Sequence, residues 1–76
     1  MINIKDEKFL KKLGNRIYEI RRQKDLSQEQ LALLADISVA QIGRIERGKI
    51  NCTICTLLTV TKGLGIPLSQ LLDFKV

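Results

Sequence analysis

Two helix-start signals eleven residues apart constrain this chain more than any other feature. Both lie in the stretch Leu26–Gly48. Ser27 is followed three residues later by Gln30, and Ser38 three residues later by Gln41. Each pair fits a capping box: the Ser hydroxyl accepts from the third backbone N–H, and the Gln side chain reaches back to the cap N–H. The interval leaves room for one helix of about two turns and a tight connection before the next helix begins.

The rest of the chain extends this helical pattern. Asp6 is placed to cap a first helix, in which Leu10, Leu13, Ile17, Ile20 and Arg21 recur at three- and four-residue steps up to about Lys24. Asp25 follows, a residue type that tolerates the left-handed conformation ending many helices. The second helix spans Gln28–Ala35, with Leu31, Leu34 and Ala35 as its inward stripe. Asp36 and Ile37 form the turn. The third helix runs from Val39 to about Arg47, with Ile42 and Ile45 facing in and Gly48 stopping it. After a loop from Lys49 to Cys52, Thr53 caps a fourth helix defined by Ile54, Leu57, Leu58, Thr61 and Leu64. Gly63 and Gly65 weaken its end. Pro67 suits the first position of a short fifth helix with Leu68, Leu71 and Leu72. No strand alternation or internal repeat interrupts the series, so the expected fold is all-α, five helices in one compact domain over residues 6–73. Residues 1–5 are expected as an N-terminal arm and 74–76 as a C-terminal tail.

Size and composition limit what such a domain does. Its 76 residues support one core, and a chain this short buries only roughly 60 % of its unfolded surface. With three aromatic residues, Phe9, Tyr18 and Phe74, that core must be aliphatic. The net charge of +5 favours a polyanionic partner, but charge alone does not separate DNA from RNA or from an anionic membrane surface. The longest purely apolar run, Leu31–Ala35, is far below the ~20 residues of a membrane span. No signal-peptide pattern opens the chain, and a cytoplasmic location with reduced cysteines is expected.

Cys52 and Cys55 form a Cys-x-x-Cys pair with three readings. A redox dithiol calls for a βαβ setting that the pattern lacks. A tetrahedral zinc needs two more ligands, and the chain has no His and no other Cys, leaving only a metal shared between two chains. In the plain reading they are small hydrophobes at a helix start. No metal, cofactor or catalytic constellation is expected.

An α-helix fits the major groove of B-DNA, and the N-terminal residues of a docked helix reach base edges. Free N–H groups at helix starts also attract phosphates. The second and third helices thus form a candidate helix-turn-helix. The chain resembles the Cro and phage-repressor type of helix-turn-helix regulators, the xenobiotic response element family, over roughly Leu13 to Leu72. The resemblance is carried in order by Leu13-Gly14-Asn15-Arg16-Ile17, Arg21-Arg22-Gln23-Lys24, Leu26-Ser27-Gln28-Glu29-Gln30-Leu31-Ala32, Ile42-Gly43-Arg44-Ile45-Glu46-Arg47-Gly48 and Leu64-Gly65-Ile66-Pro67-Leu68. Small stand-alone members include phage regulators, restriction–modification controller proteins and antitoxins.

The resemblance implies a lambda-repressor-like fold and assigns roles by position. Val39, Ala40, Gly43 and Arg44 fall at base-reading positions. Arg44 is the residue able to bond guanine O6 and N7 together, whereas Val39 and Ala40 only pack, for instance on thymine methyls. Gln28 corresponds to a phosphate-contacting Gln. Ser38, Gln41, Arg47 and Lys49 are further backbone candidates, with Gln41 divided between its capping box and DNA. Arg21 and Glu46 are expected to pair and tie the recognition helix to the scaffold. Gly usually stands where Asp36 does, Pro where Cys52 does, and Ala where Thr61 and Gly63 do. The implied function is a sequence-specific regulator of double-stranded DNA; because one recognition helix is a small contact, a homodimer on a palindromic operator is expected, with Leu72, Phe74 and Val76, apolar residues extending past the core, as its surface. An antitoxin that binds a toxin protein and represses its own operon is the alternative.

Overall fold

The computed structural model describes residues 4–76, and each helix-start signal in it begins a helix. The elements are α1 (Glu7–Gln23), α2 (Gln28–Ala35), α3 (Val39–Glu46), α4 (Ile54–Leu64) and α5 (Leu68–Leu71). Among the described residues there are no strands. No helix there is long and apolar enough to cross a membrane. Asp6, Ser27, Ser38 and Thr53 each accept a hydrogen bond from the backbone N–H three residues on, satisfying a donor that a bare helix start leaves unpaired.

The helix ends are equally regular. Asp25, Asp36, Gly48 and Gly65 all take positive φ, between 55° and 72°. At each, the next residue's N–H reaches back five residues: Leu26 to Arg21, Ile37 to Ala32, Lys49 to Arg44 and Ile66 to Thr61. These are Schellman ends, and Leu26, Ile37 and Ile66 pack on the core immediately beyond them. Eight-residue helices such as α2 and α3 are unstable alone. Caps at both ends and a buried face hold them.

The core is aliphatic: Leu13, Ile17 and Ile20 of α1 meet Leu31 and Ala32 of α2, Ile42 and Ile45 of α3, Leu57, Val60 and Leu64 of α4, and Leu71 of α5. Two glycines set how closely the helices approach. A Cβ on Gly14 would strike the Ile45 carbonyl oxygen and stand 2.8 Å from the Glu46 carbonyl carbon, so α1 lies directly on the end of α3. At Gly63 a Cβ would come within 3.1 Å of the Ala35 nitrogen, so this glycine admits α2 against α4. Thr61 is buried but satisfied, its hydroxyl donating to the Leu58 carbonyl at 2.8 Å. Arg16 donates to the Gln70 carbonyl at 2.9 Å, tying α5 to α1.

Several sequence expectations are corrected. Leu34 is 58 % exposed and Ala32 takes its place inside. On α4, Ile54 and Leu58 are exposed, and Val60 completes the buried stripe. Pro67 is the residue before α5 rather than its first. Phe74 is not in a free tail: its ring packs against Phe9 with centroids 5.8 Å apart, so the folded unit extends past residue 73. Of the expected arm, residues 1–3 lie outside the described residues. Ile4 and Lys5 rest beside the loop after α3, where Asn51 donates to the Ile4 carbonyl and Lys5 to that of Lys49.

Candidate nucleic-acid interface

The turn between α2 and α3 depends on Asp36, which adopts φ 57°, ψ 44° where a glycine would do so without Cβ strain. It delivers Ser38 to the start of α3, where the hydroxyl accepts from Gln41 N–H. The two capping boxes differ. Ser27 and Gln30 form both hydrogen bonds, but at Ser38 only the serine half is made. The Gln41 carboxamide is therefore not consumed by the cap.

Beneath the two helices lies a network of charge-assisted hydrogen bonds. Arg21 grips Glu46 like a fork, Nε donating to Oε2 at 2.7 Å and Nη2 to Oε1 at 3.0 Å. Its third nitrogen donates to the Leu26 carbonyl at 2.8 Å. Gln28 Nε2 completes the set, donating to Glu46 Oε1 at 3.0 Å. The Tyr18 ring stacks on the Arg21 guanidinium, 5.2 Å from its centroid. The side chains of Arg21 and Glu46 are only 7 % and 5 % exposed. The hydrogen bond to Glu46 raises the Arg21 pKa further above its ordinary value, against the opposing effect of burial. The network joins the end of α1, the start of α2 and the end of α3, and so fixes the orientation of α3.

The residues singled out for recognition divide into three groups. Val39, Ala40, Arg44 and Lys49 are exposed, and Ser38 lies open beside them. Gln28 is half-buried, with one amide N–H engaged by Glu46. Gly43 departs from expectation: it is buried, and the Arg47 side chain lies across it, so it offers no open surface to a base. Two basic residues escaped the sequence reading. Arg22 lines a shallow groove with Ser27, Gln28 and Gln30 at the start of α2, and Lys5 sits on the Lys49 carbonyl. The basic run from Arg21 to Lys24 hinted at the first, but no spacing rule reaches the second.

Cys52 is half-buried and Cys55 exposed. Burial pushes the Cys52 thiol pKa up. Among the described residues no three metal-binding side chains gather to hold an ion.

A family model described as helix-turn-helix matches residues 17–71. The chain belongs to that family. It is thereby one of the DNA-binding transcriptional regulators of the Cro and phage-repressor kind. It is 39 % identical over 61 residues to the control protein C.MunI of Mycoplasma sp, covering 79 % of this chain and 82 % of that one. It is likewise 39 % identical over 59 residues to the immunity repressor of Bacillus phage phi105, covering 78 % of this chain but only 41 % of the repressor. Among solved structures it is similar to the restriction-modification controller protein C.AhdI from Aeromonas hydrophila, with a TM-score of 0.82, 36 % identity, and coverage of 84 % of this chain and 97 % of that one. The five-helix, lambda-repressor-like architecture expected from the sequence is the one found.

Proposed function

We propose that this protein is a sequence-specific transcriptional regulator that binds a palindromic operator as a homodimer in the cytoplasm. The observation that carries the proposal is the buried Arg21–Glu46–Gln28 network, which holds α3 rigidly with Val39, Ala40 and Arg44 facing outward. Arg44 reads guanine with its guanidinium, while Val39 and Ala40 supply apolar fit in the major groove. The second N–H of Gln28 and the start of α2 bind phosphate. Ser38, Gln41, Arg47, Lys49, Arg22 and Lys5 extend that backbone contact.

One recognition helix is a small contact, and dimeric readers of this type engage two half-sites about one helical turn apart. The dimer surface we propose is the α4–α5 side. Leu72 (36 % exposed) and Ile54 (63 %) line one apolar depression, and Leu58 stands one turn from Ile54. Val76 is open to the same use, whereas Phe74 is already occupied by Phe9. The likeness to C.MunI and C.AhdI supports a controller role of the kind their names state.

The test is selection of bound sequences from a random duplex pool, followed by titration at several salt concentrations. A two-fold-symmetric consensus, and binding that falls steeply with salt, are expected. Sedimentation of Leu58→Lys alongside the parent checks the dimer surface, and the variant should be monomeric. An asymmetric single site, or salt-independent binding, would contradict the proposal.

A further inference from the structure

One outward position of α3 carries no side chain, and the space above it is filled. Gly43 stands between the exposed Ala40 and Arg44, yet it is buried. A Cβ built there would lie 3.0 Å from Arg47 Nη1, 3.8 Å from Arg47 Cζ and 3.9 Å from Gln28 Oε1. The guanidinium from the end of α3 and the carboxamide from the start of α2 thus converge over one bare stretch of helix backbone. Arg47 is one turn beyond Gly43, and its side chain leans back toward the helix N-terminus, the direction helical side chains favour.

We propose that Gly43 is a positioning residue for DNA recognition: its missing Cβ seats the Arg47 guanidinium beside the Gln28 carboxamide oxygen, so that Arg47 presents its donors to the phosphate backbone next to the start of α2. This inference rests on the DNA-binding reading above. Without the seat, Arg47 is a long rotor at the C-terminal end of α3, and holding it at a phosphate costs side-chain entropy. With the seat it is pre-placed, a difference of about threefold to tenfold in affinity. The position is not explained by close passage of DNA over the glycine, because Arg47 lies between Gly43 and solvent. Nor does the fold need a glycine here. The nearest side-chain atoms that an added methyl would meet outside the helix's own backbone are the ends of Arg47 and Gln28, both flexible, and alanine is the better helix former.

A double-mutant cycle tests the proposal. The wild type, Gly43→Ala, Arg47→Ala and the double variant are titrated by fluorescence anisotropy against a duplex selected with the wild type, across a salt series. Melting is followed by circular dichroism. Gly43→Ala should weaken binding about threefold to tenfold. Arg47→Ala should weaken it by about tenfold and flatten the salt slope by about one. The double variant should bind no more weakly than Arg47→Ala alone. Gly43→Ala should melt no lower than the wild type, which separates mispositioning from loss of fold. Equal weakening by Gly43→Ala in both backgrounds would overturn the seat in favour of direct DNA approach. No effect of Gly43→Ala on affinity would overturn it outright. A wild type that selects no duplex at all would instead remove the DNA-binding reading on which it rests.

Discussion

Glu46→Ala is the substitution that tests the scaffold most directly. The carboxylate accepts three hydrogen bonds, two from Arg21 and one from Gln28, and its side chain is 5 % exposed. Removing it leaves the Arg21 guanidinium with the Leu26 carbonyl as its remaining hydrogen-bond partner. Breaking a buried pair from one side costs about 3–5 kcal/mol, because a desolvated charge is stranded. The lower end applies here, about 3 kcal/mol, since the pair lies under a single layer formed by Gln28 and the half-exposed Tyr18. A domain of this length has about 4–11 kcal/mol in total, so the variant loses a large share of it. With a urea dependence of about 1 kcal/mol per molar, the unfolding midpoint followed by helical circular dichroism should fall by about 3 M. The paired replacement Arg21→Met with Glu46→Leu should recover most of that loss, because neither charge is then buried alone. The ion pair should also be insensitive to mild alkali. The Glu46 hydrogen bond holds the folded-state Arg21 pKa above its ordinary value, so its contribution is intact below that ordinary value and is lost only as pH climbs through the folded pKa. A cost below about 1 kcal/mol for Glu46→Ala would show an ordinary solvated surface pair and refute the reasoning.

Other perturbations have distinct signatures. Asp36→Gly relieves an L-residue at φ 57° but loosens the unfolded chain, and thermal melts should show a net gain of about 0.5–1 kcal/mol. Arg44→Ala should cost about 1–3 kcal/mol on the selected duplex and relax preference at one base pair per half-site, read from competition with single-substituted duplexes. Lys49→Ala should weaken all duplexes alike and flatten the salt slope by about one. Iodoacetamide mass mapping should find Cys55 alkylated before Cys52, since Cys55 is exposed and burial disfavours the Cys52 thiolate. For the same reason the Cys52 contribution to stability is constant below its ordinary pKa of 9.0 and declines as pH rises beyond it, which Cys52→Ala should abolish.

What was legible in the sequence was local. A serine hydroxyl and an amide three residues apart act within one turn, so the starts of α2 and α3 could be read directly. Asp25 and Asp36 could be read as helix ends for the same reason. The inward faces of the short helices were less readable. In Leu31–Ala35 every position is apolar, and only tertiary packing decides which are covered: α4 at Gly63 lies against Leu31 and Ala35, Ala32 joins the core cluster, and Leu33 and Leu34 stay exposed. The error at Ile54 and Leu58 has the same origin: periodicity gives a stripe, but its centre is set by whichever helix lands on it. At the site, the Arg21–Glu46 pair was reachable through family resemblance. Its extension to Gln28 was not, because it joins side chains 18 residues apart whose meeting depends on how α2 crosses α3. Burial of Gly43 by Arg47 escaped for the opposite reason, since the sequence shows an absent side chain but not what occupies its place.

A scaffold this firmly braced carries a sparse reading head, and magnitudes show the consequence. Val39 and Ala40 have no side-chain hydrogen bonds to give, and Gly43 is covered. In the proposed complex direct readout would fall chiefly to Arg44, worth about 1–3 kcal/mol per bidentate contact, or about 2–6 kcal/mol over two half-sites. Discrimination between specific and non-specific duplexes by DNA-binding proteins runs to about 4–10 kcal/mol. A dimer near the middle of that range needs a second source of preference. In the proposed homodimer the fixed spacing of two α3 helices would provide it, because only duplexes whose groove width and bend match the dimer would accept both at low deformation cost. On the proposed function the Arg21–Glu46–Gln28 network would serve specificity as well as stability: a looser α3 would adapt to the DNA, and the shape of the DNA would cease to matter.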